Sequence, residues 1–101
     1  MTATRPIIGR EAENELYDAA NWYEARSEGL GIAFLDGVEG LLERIAENPR
    51  QFQVVYQDVR RALLRRFPYG VFFRARASGA IKIIAVMHSA RSPDRWRKGR
   101  R

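Results

Sequence analysis

The second half of the chain reads as a run of short strands, and nothing else in the sequence restricts the fold as strongly. Residues 59–67 alternate, with Arg61, Leu63, Arg65 and Phe67 on one side and Arg60, Ala62, Leu64 and Arg66 on the other. Residues 71–76 are β-branched and aromatic, which suits a pleated, half-buried surface. Residues 81–88 contain an unbroken apolar run from Ile83 to Met87, the pattern of a strand covered on both faces. The connections at Pro68-Tyr69-Gly70 and at residues 77–80 are short and polar, so neighbouring strands should pair antiparallel.

Charge divides the chain at the same point. From Val59 onward eleven Arg and two Lys stand against one acid, Asp94, a net of +12, whereas the first 58 residues carry five Arg against eleven acids, a net of −6. A cationic sheet behind an acidic front half, with a pI near 10.5, points to a polyanionic target or an acidic protein partner. Sixteen of the eighteen basic residues are Arg, whose planar fork matches phosphate and carboxylate.

The 101 residues fit one domain, residues 1–101. There is no cysteine, which excludes disulfides, thiol catalysis and thiolate metal sites. No apolar run approaches the roughly 20 residues of a membrane span, and the N-terminus has no secretory pattern, so a cytoplasmic location is expected.

Ahead of the sheet, residues 3–8 read as an edge or second-position strand in which Pro6 is tolerated. A first helix is expected over residues 10–26, with Ala12, Leu16, Ala19, Ala20 and Tyr23 at helical spacing and Glu11, Glu13 and Glu15 in its first turns. Residues 27–31 form a hinge with a capping glycine. A second helix is expected over residues 31–48, with Phe34, Val38, Leu41, Leu42 and Ile45 as its apolar face and Asn48-Pro49 as its stop. Gly37 and Gly40 lie inside it, each costing about 1 kcal/mol relative to Ala. With Ala33 they make a small-residue stripe, explained most simply by close approach of the first helix in an antiparallel hairpin. Residues 50–58 read as a connecting loop.

Chemistry concentrates at few places. His88, the one histidine, ends the last strand, and histidine is the usual general acid or base near neutral pH. One His, no Cys and carboxylates carried mostly on the helices suggest no metal and no cofactor. Arg60, Arg61, Arg65, Arg66, Arg74 and Arg76 fall on adjacent strands, interleaved with Tyr69, Phe72, Phe73 and Trp96. Three readings stand side by side: a single-strand nucleic-acid surface, an ordinary core with a solvated basic face, or a contact for an acidic partner segment.

In order and spacing, Trp22-Tyr23-Glu24, Gly29-Leu30-Gly31, Phe34-Leu35, Ile45-Ala46-Glu47-Asn48-Pro49, Arg65-Arg66-Phe67-Pro68-Tyr69, Val71-Phe72-Phe73-Arg74 and the ending His88-x-x-Arg91-x-Pro93-x-x-Trp96 resemble the RelE/ParE toxins of bacterial type II toxin–antitoxin systems. Members of the kind often termed plasmid stabilisation proteins are the most similar in pattern. The resemblance implies an α+β fold, β-α-α-β-β-β, with a helical hairpin packed on a small, mostly antiparallel sheet. It also implies a cognate antitoxin as partner and one of two targets. ParE-like members poison DNA gyrase; RelE-like members cut mRNA on the ribosome. A RelE-like site would use metal-free attack of a 2′-OH on the adjacent phosphate, with His88 moving a proton and Arg65, Arg74 and Arg91 stabilising charge. The lysines common in the second-strand region of such nucleases are missing here, and Trp96 cannot transfer a proton. The pattern therefore leans towards the ParE-like kind, in which Arg60, Arg61, Arg66, Arg76, Arg95 and Trp96 would contact target or antitoxin and no residue is catalytic.

Overall fold

A computed structural model describes residues 5–90 of the chain. Strand β1 (Ile7–Ile8) leads into helices α1 (Arg10–Arg26) and α2 (Leu30–Glu47), followed by a 3₁₀ turn at Pro49–Gln51 and strands β2 (Gln53–Tyr56), β3 (Val59–Leu63), β4 (Tyr69–Ala75) and β5 (Ile81–His88). The sheet order is β1-β5-β4-β3-β2, parallel only between β1 and β5. This is the expected α+β layout of a helical hairpin on a mostly antiparallel sheet. No helix of the described residues is long and apolar enough to cross a membrane.

One strand lies where a loop was expected. Within residues 50–58, Gln53–Tyr56 pairs antiparallel with β3 through Gln53 opposite Arg61 and Val54 opposite Arg60. Val54, Val55 and Tyr56 have the β-branched and aromatic character of a strand. The turn that follows is only Gln57-Asp58, with Gln57 at φ 51° instead of the glycine that usually marks such a turn. Arg60 secures the approach, because its Nη1 donates to the carbonyl oxygens of Phe52 (2.7 Å) and Arg50 (3.5 Å).

β3 is shorter than the alternation suggested. It stops at Leu63, and Leu64 N–H donates across to the Tyr69 carbonyl at 3.0 Å. The chain then leaves the pleat, so Phe67 turns under the helices while Arg65 and Arg66 remain in solvent. The reason is apolar burial: Phe67 packs on Phe34 and Tyr23, with ring centroids at 5.2 and 4.8 Å, a gain unavailable on the outer face.

The sheet is apolar on both sides. Phe34, Ile45, Val71, Phe73 and Ile83 fill the helix side, and Val59, Phe72, Ile84, Ala85 and Met87 form a second cluster on the outer face. A bulge places Phe72 opposite Ala85 but Phe73 opposite Ile83, leaving Ile84 as the extra residue. The buried faces of both helices are those read from the sequence.

The hairpin is tightest where it turns. Gly29, at φ 87°, supplies the left-handed step between the helices. The Glu24 carboxylate accepts from Gly29 N–H (3.0 Å) and Gly31 N–H (2.9 Å), closing the N-terminus of α2. A Cβ on Gly31 would sit 2.6 Å from the carbonyl oxygen of Ala20. An added Cβ clashes with α1 here and not at Gly37 or Gly40. Among the described residues, a Cβ on Gly40 would meet nothing within 4 Å, and one on Gly37 would meet only Leu64, at 3.7 Å.

Candidate functional site

α1 crosses the sheet beside the C-terminal half of β5, and the gap between them forms a cleft of about 640 Å³. Val86, His88 and Tyr69 supply its floor, and Glu15, Asp18, Ala19 and Trp22 line it from α1. These α1 positions recur at helical spacing, so one stripe of the first helix faces the one histidine. Sequence reasoning had isolated His88 without these neighbours. The 15-18-22 spacing was the available signal, and it is easily taken for a solvated helix face.

His88 stands opposite Tyr69, the last pair of the β4–β5 ladder, and the two rings meet edge-on at 5.4 Å. Its Nδ1 accepts a hydrogen bond from Ala90 N–H at 3.1 Å. In the neutral ring the proton is therefore on Nε2, which makes that nitrogen a donor towards anything bound beside it. Behind it, Tyr23 contacts Tyr69, Phe34 and Phe67. Burial, then the neighbouring Tyr69, push the Tyr23 phenol above its ordinary pKa, so it remains a neutral hydroxyl through the physiological range. Trp22 is half exposed at the rim, with the Arg26 guanidinium stacked 4.1 Å from its ring centroid. Glu15 Oε1 accepts from the backbone N–H of Val86 at 2.9 Å. Among the described residues the cleft is lined by one imidazole with aromatic rings and carboxylates and by no arginine or lysine, unlike the cationic cradle that phosphoryl chemistry requires.

The arginines are dispersed. Arg74 pairs with Lys82 near the opposite end of the sheet, five residues along β4 from the partner of His88, a separation of about 17 Å. Its Nε lies 3.5 Å from Asp58 Oδ1, within ion-pair range but without hydrogen-bond geometry. Arg61 lies on the outer face, its stem over Gly70, where a Cβ would be 3.4 Å from Arg61 Cγ. Arg60 is tied to backbone carbonyls. Arg76 begins the β4–β5 turn, away from the cleft. Arg65 and Arg66 project from the β3–β4 loop into a second groove, beside α2. His88 and Arg74 are therefore not brought together. Arg91, Arg95 and Trp96 lie outside the described residues.

Residues 7–93 match the family described as ParE toxin of type II toxin–antitoxin system, parDE. Among solved structures, the chain is similar to one titled chromosomal ParDE TA system from P. aeruginosa, at 18% identity and a TM-score of 0.65, covering 83% of this chain and 96% of that one. At that identity the likeness speaks for the fold. No curated protein sequence matches.

Proposed function

Because this chain belongs to the ParE toxin family of type II toxin–antitoxin systems, we propose that it arrests growth by binding DNA gyrase through protein contacts, without catalysing a reaction itself, and that a cognate antitoxin neutralises it. The observation that carries the non-catalytic reading is the separation of His88 from Arg74. His88 faces the α1 cleft, whereas Arg74 is on the outer face beside Asp58, about 17 Å along the strand. A 2′-OH attack on phosphate needs its base and its cations within hydrogen-bond reach of one phosphorus centre.

Induction of the chain alone in growing bacteria tests this. DNA breaks and filamentation should precede any loss of mRNA, and the purified chain should inhibit supercoiling by purified gyrase. mRNA cleavage appearing first, with gyrase unaffected, would replace this reading with a RelE-like ribosome-dependent nuclease.

A further inference from the structure

The composition of the α1 cleft suits a cation. Four of its lining rings touch in series, with centroids 5.1 Å apart for Trp22 and Tyr23, 6.0 Å for Tyr23 and Tyr69 and 5.4 Å for Tyr69 and His88. Aromatic faces carry the negative part of the ring quadrupole and attract cations. Two carboxylates join the rings from α1, Glu15 and Asp18, while among the described residues no Arg or Lys lines the same space. That exclusion occurs in a chain with eighteen Lys and Arg. Glu15 is aimed by the sheet, since its Oε1 accepts from Val86 N–H at 2.9 Å. Asp18 is exposed and has no ion pair among the described residues. The rim already displays a guanidinium on one of these rings: Arg26, from outside the lining, rests 4.1 Å from the Trp22 centroid. At about 640 Å³ the cleft has the size of a ligand site.

We propose that this cleft binds an arginine side chain of the target protein, its guanidinium stacked on the aromatic lining and bridged to Glu15 and Asp18. The assignment rests on the reading above that the toxin acts through protein contacts. Three features select the occupant. A planar guanidinium can stack on a ring and meet a carboxylate through two N–H groups at once, which a point-like ammonium cannot. The neutral His88 ring, with Nδ1 engaged by Ala90 N–H, presents Nε2–H as a donor and so calls for a neutral acceptor beside the cation. A peptide carbonyl supplies that acceptor and a free polyamine does not. Finally, an acidic partner segment is drawn to the half of the chain with net +12, whereas Glu15, Asp18 and Trp22 belong to the half with net −6, which attracts the opposite sign. Nucleic acid would bring phosphates against the two carboxylates.

The probes are N-acetyl-arginine methylamide, its citrulline counterpart, which keeps the shape and lacks the charge, and spermidine. Each is titrated into the isotope-labelled full chain while the indole N–H of Trp22, identified with Trp22→Phe, is followed by NMR. The arginine probe should saturate with a Kd of about 1 mM, and citrulline and spermidine should bind at least about tenfold more weakly. The paired variant Glu15→Gln with Asp18→Asn removes both charges, and its new amide oxygen at position 15 can still accept from Val86 N–H. Its Tm should stay within about 5 °C of the parent. Its affinity for the arginine probe and its inhibition of gyrase supercoiling should each fall about tenfold or more, while antitoxin binding stays within about threefold. If the pair fails to fold, Asp18→Asn alone decides, because Asp18 is exposed and makes no ion pair among the described residues. Citrulline binding as well as arginine, or no saturable arginine binding at all, would overturn the cation site. Three results would instead overturn the target as its occupant. One is a folded variant that loses the probe yet inhibits gyrase like the parent. Another is a variant that loses antitoxin binding. The third is a parent that takes the probe only after Arg91→Gln with Arg95→Gln, which would make this chain its own occupant. If the parent leaves gyrase unaffected, the functional reading falls and the target assignment with it, and the probe titration still decides whether the cleft takes a cation.

Discussion

Replacing Gly31 with alanine places a methyl carbon 2.6 Å from the carbonyl oxygen of Ala20 and 3.0 Å from both Cβ and Oε1 of Glu24. Ordinary contact begins at 3.4 Å, so about 0.8 Å must be found. The obstructing oxygen is α1 backbone and cannot rotate aside. The hairpin must open, which strains the hydrogen bond from Gly31 N–H to Glu24. Overpacking of this kind costs about 1–3 kcal/mol, and the upper part of that range applies where the neighbour is backbone. Against it stands at most about 1 kcal/mol of helix propensity gained on losing a glycine. The net is a loss of about 2 kcal/mol, or roughly 10 °C in melting temperature for a domain of this size. Gly40→Ala is the internal control. The same atoms are added to the same helix where no described residue lies within 4 Å, so the propensity term acts alone and Tm should rise by about 4–8 °C. Thermal and urea unfolding followed by circular dichroism measure both variants. If Gly31→Ala proves as stable as the parent, or the two variants shift together, the close approach at the hairpin turn is wrong.

Phe34 is fully buried and touches three aromatic rings, so Phe34→Ala should lose about 3–5 kcal/mol by urea unfolding, while a loss under about 1 kcal/mol would misplace the core. The Glu24 carboxylate is held below its usual pKa by the Gly29 N–H and then the Gly31 N–H. Its folded pKa being depressed, the stability it contributes is present above the unfolded value of about 4.3 and is lost as pH falls through the folded value. Urea midpoints for the parent and Glu24→Gln should accordingly differ at pH 7 and converge as pH falls through the folded value; a gap independent of pH would refute the linkage. A folded His88→Gln protein should remain toxic on induction, and loss of toxicity at an unchanged Tm, together with loss of mRNA cuts, would restore a proton-transfer role to His88.

The helices and the last three strands were legible because their signals are local. Leu16, Phe34, Val38 and Ile45 recur at helical spacing, and the run Ile83–Met87 needs only that both sheet faces be covered, which the two apolar clusters do. β2 was missed because its turn, Gln57-Asp58, lacks a glycine and its single neighbour is β3. The alternation through Phe67 misled because period two continues in the letters after the backbone has left the strand. The burial of Phe67 against Tyr23 and Phe34 is a tertiary fact with no local trace. The stripe Ala33-Gly37-Gly40 was legible as a pattern, yet its partner was not: the sequence offered α1, whereas among the described residues only Leu64, from the β3–β4 loop, comes near a Cβ on either glycine. Likewise the arginines were visible as a cluster along the chain, and only the pairing registers separate Arg74 from the strand end that carries His88.

The hydrogen bond from Val86 N–H to Glu15 joins residues 71 positions apart, and the pairing of Ile7 with Lys82 spans slightly more of the chain. During synthesis these partners emerge at opposite ends of translation. The α-hairpin and the β2–β3 hairpin can form while the ribosome still holds the remainder, but β5, which joins β1 to β4, arrives last. Until it does, α1 has no edge to close and β4 has β3 alone. A nascent chain interrupted before residue 81 has the helical hairpin without the sheet centre on which it packs, so a toxin built this way acquires its surface in one late step.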